Sequence, residues 1–235
     1  MRSCLIQILV TLAVLFCLVW FVLPLGVAAL VQGALSAGGF TGTDTKVEVS
    51  ASPPFMLLTG HADKIHITST QARMGDLYAT SAEVTLGDID LLSRNIGTVT
   101  GTLVGVRVAA PNGDPVAIDT VSLAGAATST TATANLSVAA AQTLAESQIK
   151  AQTGISAKVV LKAPDAVTLT VNGKAQSGRL VATNGALVLV PNSSGLPSVT
   201  LVVPGPGNPF HVTAVNIGLA GLTLTGTIDT QALLS

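Results

Sequence analysis

Three histidines, His61, His66 and His211, and a thin scatter of carboxylates are the side chains here that could hold a metal or move a proton. His61 and His66 fall on one predicted strand at odd spacing. A regular strand alternates its side chains, so the two rings are expected on opposite faces. A metal site needs neighbouring ligands on one face and a third donor, so none is expected. Asp63 between them reads as a solvated strand-edge or turn residue. Asp88 and Asp90 stand at alternate positions of another strand and could share a face as a carboxylate pair. A pair of this kind can do acid–base work, but a solvated strand face is the simpler reading. No Gly-x-Ser-x-Gly nucleophile turn occurs. Ser177-Gly178 and Ser194-Gly195 read as ordinary turns, and no phosphate-cradling Gly-x-x-x-x-Gly-Lys is present. The residues therefore point to no enzyme, no metal and no cofactor.

The elements that would position any site are mostly strands. Val, Ile and Thr are abundant, and they suit a pleated surface. Strands are expected over Lys46–Val49, Ile65–Thr68, Leu77–Ile89 with Val84, Leu86 and Ile89 inward, Thr98–Val108 and Ala117–Leu123. A second block follows: Lys158–Lys162, Val167–Val171, Arg179–Thr183, Ala186–Val190, Leu201–Val203 and a long closing strand over Val212–Ile228. Asn172-Gly173 and Asn184-Gly185 predict type I′ hairpin turns, because both central residues need positive φ. Between the blocks one helix is expected over Ser137–Gln152. Ser137 is its N-cap, Gly154 lies just past its end, and Val138, Ala141, Leu144, Ala145 and Ile149 share a face.

Composition excludes several partners. Charged residues are 10% of the chain and the net charge is −1, with no basic run. Nucleic-acid backbones attract proteins through clustered Lys and Arg, so no nucleic acid is expected. The two cysteines, Cys4 and Cys17, both lie in the first apolar segment, leaving the rest of the chain without disulfides or thiolate metal sites.

That first segment carries no charge from Ser3 to Thr43. A helix over Cys4–Leu23 would be about 30 Å long, the thickness of a bilayer core. Trp20 and Phe21 sit near its far end, as interfacial aromatics do, and Pro24 and Gly26 fall where it would emerge. The expectation is an N-terminal transmembrane anchor and linker over residues 1–40, with a globular domain over residues 41–235. A cleaved signal is the alternative, with Ala34-Leu35-Ser36 before Ala37 as its processing site. Arg2 on the short side leaves the N-terminus in the cytoplasm and the domain outside. The protein would then sit in the cytoplasmic membrane by a single pass, or be secreted if the segment is removed.

After the break at Ser52-Pro53-Pro54 come Phe55, Met56, Leu57 and Leu58, which cannot all point inward on a half-buried strand. They read as an apolar entrance lip, or as a plug for the core. The run Ser52-Pro53-Pro54-Phe55-Met56-Leu57-Leu58-Thr59-Gly60, followed by His61-Ala62-Asp63-Lys64-Ile65-His66-Ile67, resembles the LmeA-like family (the DUF2993 domain) of bacterial phospholipid-binding proteins. The mid-chain Ser-led helix and the Gly/Thr-rich closing strand add to that likeness, which covers roughly residues 43–228. It implies an α+β fold, with a curved, mostly antiparallel sheet wrapped around one long helix in the manner of tubular lipid-binding proteins. An extracytoplasmic place and a phospholipid ligand are implied as well. The chain is poorer in Arg and aromatics than that group, so no particular head group is implied.

Aromatics are only 3% of residues, and small Ala, Gly and Val side chains cannot plug a wide concavity. An acyl chain gains about 0.8 kcal/mol per buried CH₂, so an underfilled sheet would take one up. The expected function is a membrane-anchored extracytoplasmic phospholipid binder, serving lipid transfer or presentation in the cell envelope. Its expected lining is Phe55, Met56, Leu57, Leu58, Val138, Leu144 and Ile149. The alternative is a structural or adhesive envelope protein with a filled β core.

Overall fold

The computed structural model describes residues 23–109, 115–192, 196–204 and 210–229. The chain is mostly antiparallel β-sheet with a few helices, an α+β arrangement. It opens with helix α1 (Leu23–Ala37), then β1 (Phe40–Ser50), a 3₁₀ turn (Pro54–Thr59), β2 (His61–Met74), β3 (Leu77–Asp90), β4 (Asn95–Ala109) and β5 (Pro115–Ala126). A short 3₁₀ turn (Ala127–Ser129) leads to β6 (Thr130–Leu136) and helix α2 (Val138–Thr153). The remainder is β7 (Lys158–Lys162), β8 (Ala166–Val171), β9 (Lys174–Thr183), β10 (Ala186–Pro191), β11 (Val199–Val202), β12 (His211–Ile217) and β13 (Leu222–Ile228).

These strands form two sheets rather than the single one expected: an eight-stranded sheet in the order β1-β2-β3-β4-β5-β6-β13-β12, and a five-stranded one in the order β11-β10-β9-β8-β7. Every pairing is antiparallel. The five-stranded sheet is the meander set by Asn172-Gly173 and Asn184-Gly185, whose φ values of 49°, 77°, 50° and 77° are those a I′ turn demands.

The large sheet carries two rows of irregular residues. Asp44, Gln71 and Gly105 take positive φ on β1, β2 and β4, and Asp88 does so on β3 beside Gly97. At each row the neighbouring strands β2, β3 and β4 skip one residue of the alternation together, so their register is kept. Side chains three positions apart then both turn inward: Ala79 with Ala82, and Leu103 with Val106, at one row; Ala62 with Ile65, Leu86 with Ile89, and Ile96 with Val99, at the other. This is why Val84, Leu86 and Ile89 all reach the core despite their mixed spacing, as expected of them.

Helix α2 is built as its sequence predicts. Ser137 Oγ accepts from Ala140 N at 3.2 Å, and Gly154, at φ 70°, donates to Lys150 O. The helix is tied to both edges of the five-stranded sheet. Glu146 Oε1 accepts from Val159 N on β7 at 2.8 Å, and the Gln152 amide bonds Thr200 N and Thr200 O on β11. Ala141, Leu144, Ala145 and Ile149 are buried with Leu169, Leu187, Leu189 and Val199 of this sheet, and with Leu136, Leu222 and Leu224 of the large one. The main core therefore lies around α2.

The closing segment is not one strand. Gly218 and Gly221 exchange backbone hydrogen bonds of 2.8 and 3.3 Å and reverse the chain between β12 and β13. Gly221 has φ 143°, and a Cβ there would collide with the carbonyl of Leu136. Gly221→Ala is expected to lower the unfolding free energy by more than about 1 kcal/mol, measured by chemical denaturation. Gly218→Ala, whose Cβ would meet nothing within 4 Å, is the near-silent control. Strand β6 went unread in the sequence, because its Thr/Ala/Asn composition lacks bulky strand formers; it is held by pairing with β5 and β13 on its two sides.

Candidate functional site

Helix α1 occupies what the sequence suggested was linker. Leu23, Val27, Val31 and Leu35 recur at i+4, one face of a helix. Leu23, Val27, Ala28 and Val31 pack on the cluster of Val49, Leu57, Ala62, Ile65 and Ile89. That contact carries the helix through Pro24 and Gly26. Among the described residues no helix is long and apolar enough to cross a membrane. The expected span over Cys4–Leu23 lies outside the described residues except for Leu23.

Because β1 runs back along α1, a seam opens between them. Near the start of α1 it forms a groove of about 370 Å³, at the lower end of the range of about 300–1,000 Å³ usual for ligand clefts. Pro24, Leu25, Ala28, Val47 and Val49 supply apolar lining; Glu48, Ser50, Lys64 and His66 supply polar lining. The polar side is set by register: Glu48 lies opposite His66, and Ser50 opposite Lys64. His66 Nδ1 is 2.9 Å from Thr85 Oγ1 and its Nε2 is 3.8 Å from Glu83, which fixes the ring. A second cleft of about 540 Å³ lies further along α1, bounded by Gln32, Ser36, Thr41, Asp44 and Thr45 with Leu35 and Phe40. Its hydroxyls and amide suit water better than an apolar ligand.

The predicted lining residues do not converge on one place. Leu144 and Ile149 are 8% and 1% exposed and fill the main core around α2, and Val138 is half-buried in the first turn of that helix. Phe55–Leu58 lie instead in the first 3₁₀ turn, under α1. At three residues per turn, positions i and i+3 share a face. Pro54 and Leu57 are therefore buried, while Phe55 and Leu58 face outward at 57% and 68% exposure; Met56 is half-buried. The run is thus half buried and half exposed, sorted by the 3₁₀ period.

The turn is pinned from below. Ser52 N donates to Asp63 Oδ2 at 2.6 Å, Gly60 N donates to Leu57 O, and Leu91 N donates to Gly60 O at 2.8 Å. Leu92, 79% exposed, lies over Gly60 in the space a Cβ would occupy. Its own turn is held by Asp90 Oδ1, which accepts from Leu92 N and Ser93 N at 2.9 and 3.0 Å. The Ser93 backbone N–H is the main cause holding the Asp90 carboxyl below its ordinary range, helped by the Ser93 side chain, Leu92 N–H and the charge of His61. A depressed value means stability that is present above the unfolded-state value of about 3.9 and lost as pH falls through the folded one. The wild type is expected to melt above Asp90→Asn at about pH 6, with the gap closing in strong acid; thermal melts across that range check it.

The other polar candidates have separate partners. The alternation on β2 skips a residue between Ala62 and Ile65, beside the positive-φ Asp88 of β3, so His61 and His66 both flank inward residues on the outward face, not on opposite faces as a regular strand would place them. His61 Nε2 pairs with Asp63 Oδ1 at 3.4 Å, and His66 with Thr85. Ser177 sits within β9, where Asn192 Nδ2 donates to its Oγ, and not in a turn. Ser194 lies outside the described residues. No group of three metal-ligating side chains occurs among the described residues.

The groove was missed in the sequence because residues 24–40 were read as linker; the i+4 stripe of α1 was the signal that could have found it. Compared with protein families, curated proteins and solved structures, the chain matches none.

Proposed function

We propose that this protein is a membrane-anchored phospholipid-binding domain on the extracytoplasmic side, with the apolar N-terminal run as its anchor. The observation that carries the reading is the two-sided groove beside α1. An acyl chain would lie along Pro24, Leu25, Ala28 and Val49, with its phosphate toward Lys64 and Ser50, away from the Glu48 carboxylate that lies opposite His66. An ammonium on a flexible stem meets phosphate as a point charge. The groove lies at the start of α1, the end that follows the apolar run, so a lipid would reach it from the bilayer that holds the anchor. The resemblance to LmeA-like proteins supports the same reading. Extraction of the full chain in mild detergent, followed by lipid mass spectrometry, is expected to recover bound phospholipid above the level carried by the anchor segment alone. Recovery at that background level would defeat the proposal.

A second reading is an envelope protein with a filled core and no ligand. The sealing of α2 by Leu144, Ile149, Leu187 and Leu189 favours it, because the interior volume expected around that helix is taken up by side chains.

A further inference from the structure

We infer that the end of the large sheet carrying Phe55, Leu58 and Leu92 is a bilayer-docking surface, seated in the interfacial zone of the membrane that holds the anchor. The inference rests on the anchoring part of the proposed function and adds a contact surface and an orientation to it. Three observations carry it.

The first is placement. β1 runs antiparallel to α1 and ends at Ser50, beside the start of the helix, and the Pro54–Thr59 turn that follows touches α1 directly. β3 ends and β4 begins at this same end, since His61 pairs with Asp90 and Asp90 with Asn95. The two turns holding the exposed side chains therefore flank the point where the chain arrives from the apolar stretch that carries no charge after Arg2.

The second is rigidity. No loop separates α1 from the domain: its Leu23, Val27 and Val31 pack on the cluster that also holds Leu57. An anchor continuing into this helix would present the sheet end to the bilayer in a fixed attitude.

The third is chemistry. Phe55, Leu58 and Leu92 are exposed on two independent turns, and those turns are braced so that they stay exposed. Asp63 holds Ser52, and Asp90 turns its carboxylate onto the N–H groups of Leu92 and Ser93. Asp63 and Asp90 thus serve to hold the two turns in place. Apolar side chains on a braced surface suit the boundary between head groups and acyl chains, where amphipathic surfaces bury their apolar face.

The test uses the full chain with Trp20, its single tryptophan, replaced by Phe. A reporter is then placed at either end of the same hairpin, by Leu58→Trp or by Met74→Trp. Met74 is 56% exposed and lies at the opposite end of β2, on the order of 40 Å away at the usual strand rise. Each variant is reconstituted in vesicles of equal parts phosphatidylcholine and phosphatidylglycerol, with and without bromine on the acyl chains. The Leu58→Trp emission is expected to be quenched at least about twofold by brominated lipid, as for a side chain at the acyl boundary, while the Met74→Trp emission is unchanged. A chain that floats with the vesicles but shows no quenching of the Leu58→Trp reporter overturns the docking and leaves the anchor standing. Equal quenching at both positions overturns the end-on attitude. A chain that does not float overturns anchor and docking together.

Discussion

Ile149→Ala is expected to cost the domain about 2–5 kcal/mol of stability, as truncation of a filled core site does, without changing the phospholipid recovered per folded molecule. Ile149 is among the largest fully buried side chains, and its cluster joins α2 to both sheets. Removing it leaves a cavity whose walls are pinned, because Glu146 and Gln152 hold α2 to the two edges of the five-stranded sheet. If Ile149 lined an open hollow, its loss would cost little and would widen the lipid space. Urea unfolding and lipid quantification on the same preparation separate the two outcomes. Leu144→Ala is expected to follow the same pattern.

The second large effect is on binding. Leu25→Glu combined with Lys64→Glu is expected to reduce co-purifying phospholipid at least about tenfold, which corresponds to about 1.4 kcal/mol. Leu25 is 71% exposed and forms part of the apolar lining; Lys64, also exposed, brings the groove's ammonium. A carboxylate at Leu25 would meet the acyl chain, and one at Lys64 would repel phosphate. Surface substitutions away from caps and cores usually shift stability by no more than about 0.5 kcal/mol, so the fold should persist. Lipid recovery equal to the wild type in a folded double variant would remove the groove from the account.

Much of the β framework was legible in the sequence because local chemistry fixes it. Asn-Gly pairs dictate I′ turns, Ser137 and Gly154 bracket α2, and inward Val84, Leu86 and Ile89 mark β3. What escaped was set by longer-range geometry. The division into two sheets has no local marker, since strands of both are built from the same Val, Leu and Thr. Asp44, Gln71 and Asp88 are non-glycine residues at positive φ, which sequence does not signal. The spacing of Phe55 to Leu58 was weighed against a strand, whereas the 3₁₀ period governs it. The candidate site was not legible: none of the residues expected to line it borders the groove, Leu144 and Ile149 serve the core, and the groove depends on a helix hidden inside a long apolar run.

The most direct test of the account is the position at which a lipid touches the protein. A photoactivatable phosphatidylcholine, carrying its reactive group on the acyl chain, can be incorporated into membranes holding the full chain, and the adducts mapped by peptide mass spectrometry. Adducts are expected on the start of α1 and on β1, at residues 24–28 and 47–50, beyond those in the anchor itself. Adducts confined to α2 and the five-stranded sheet, or to the anchor alone, would contradict it.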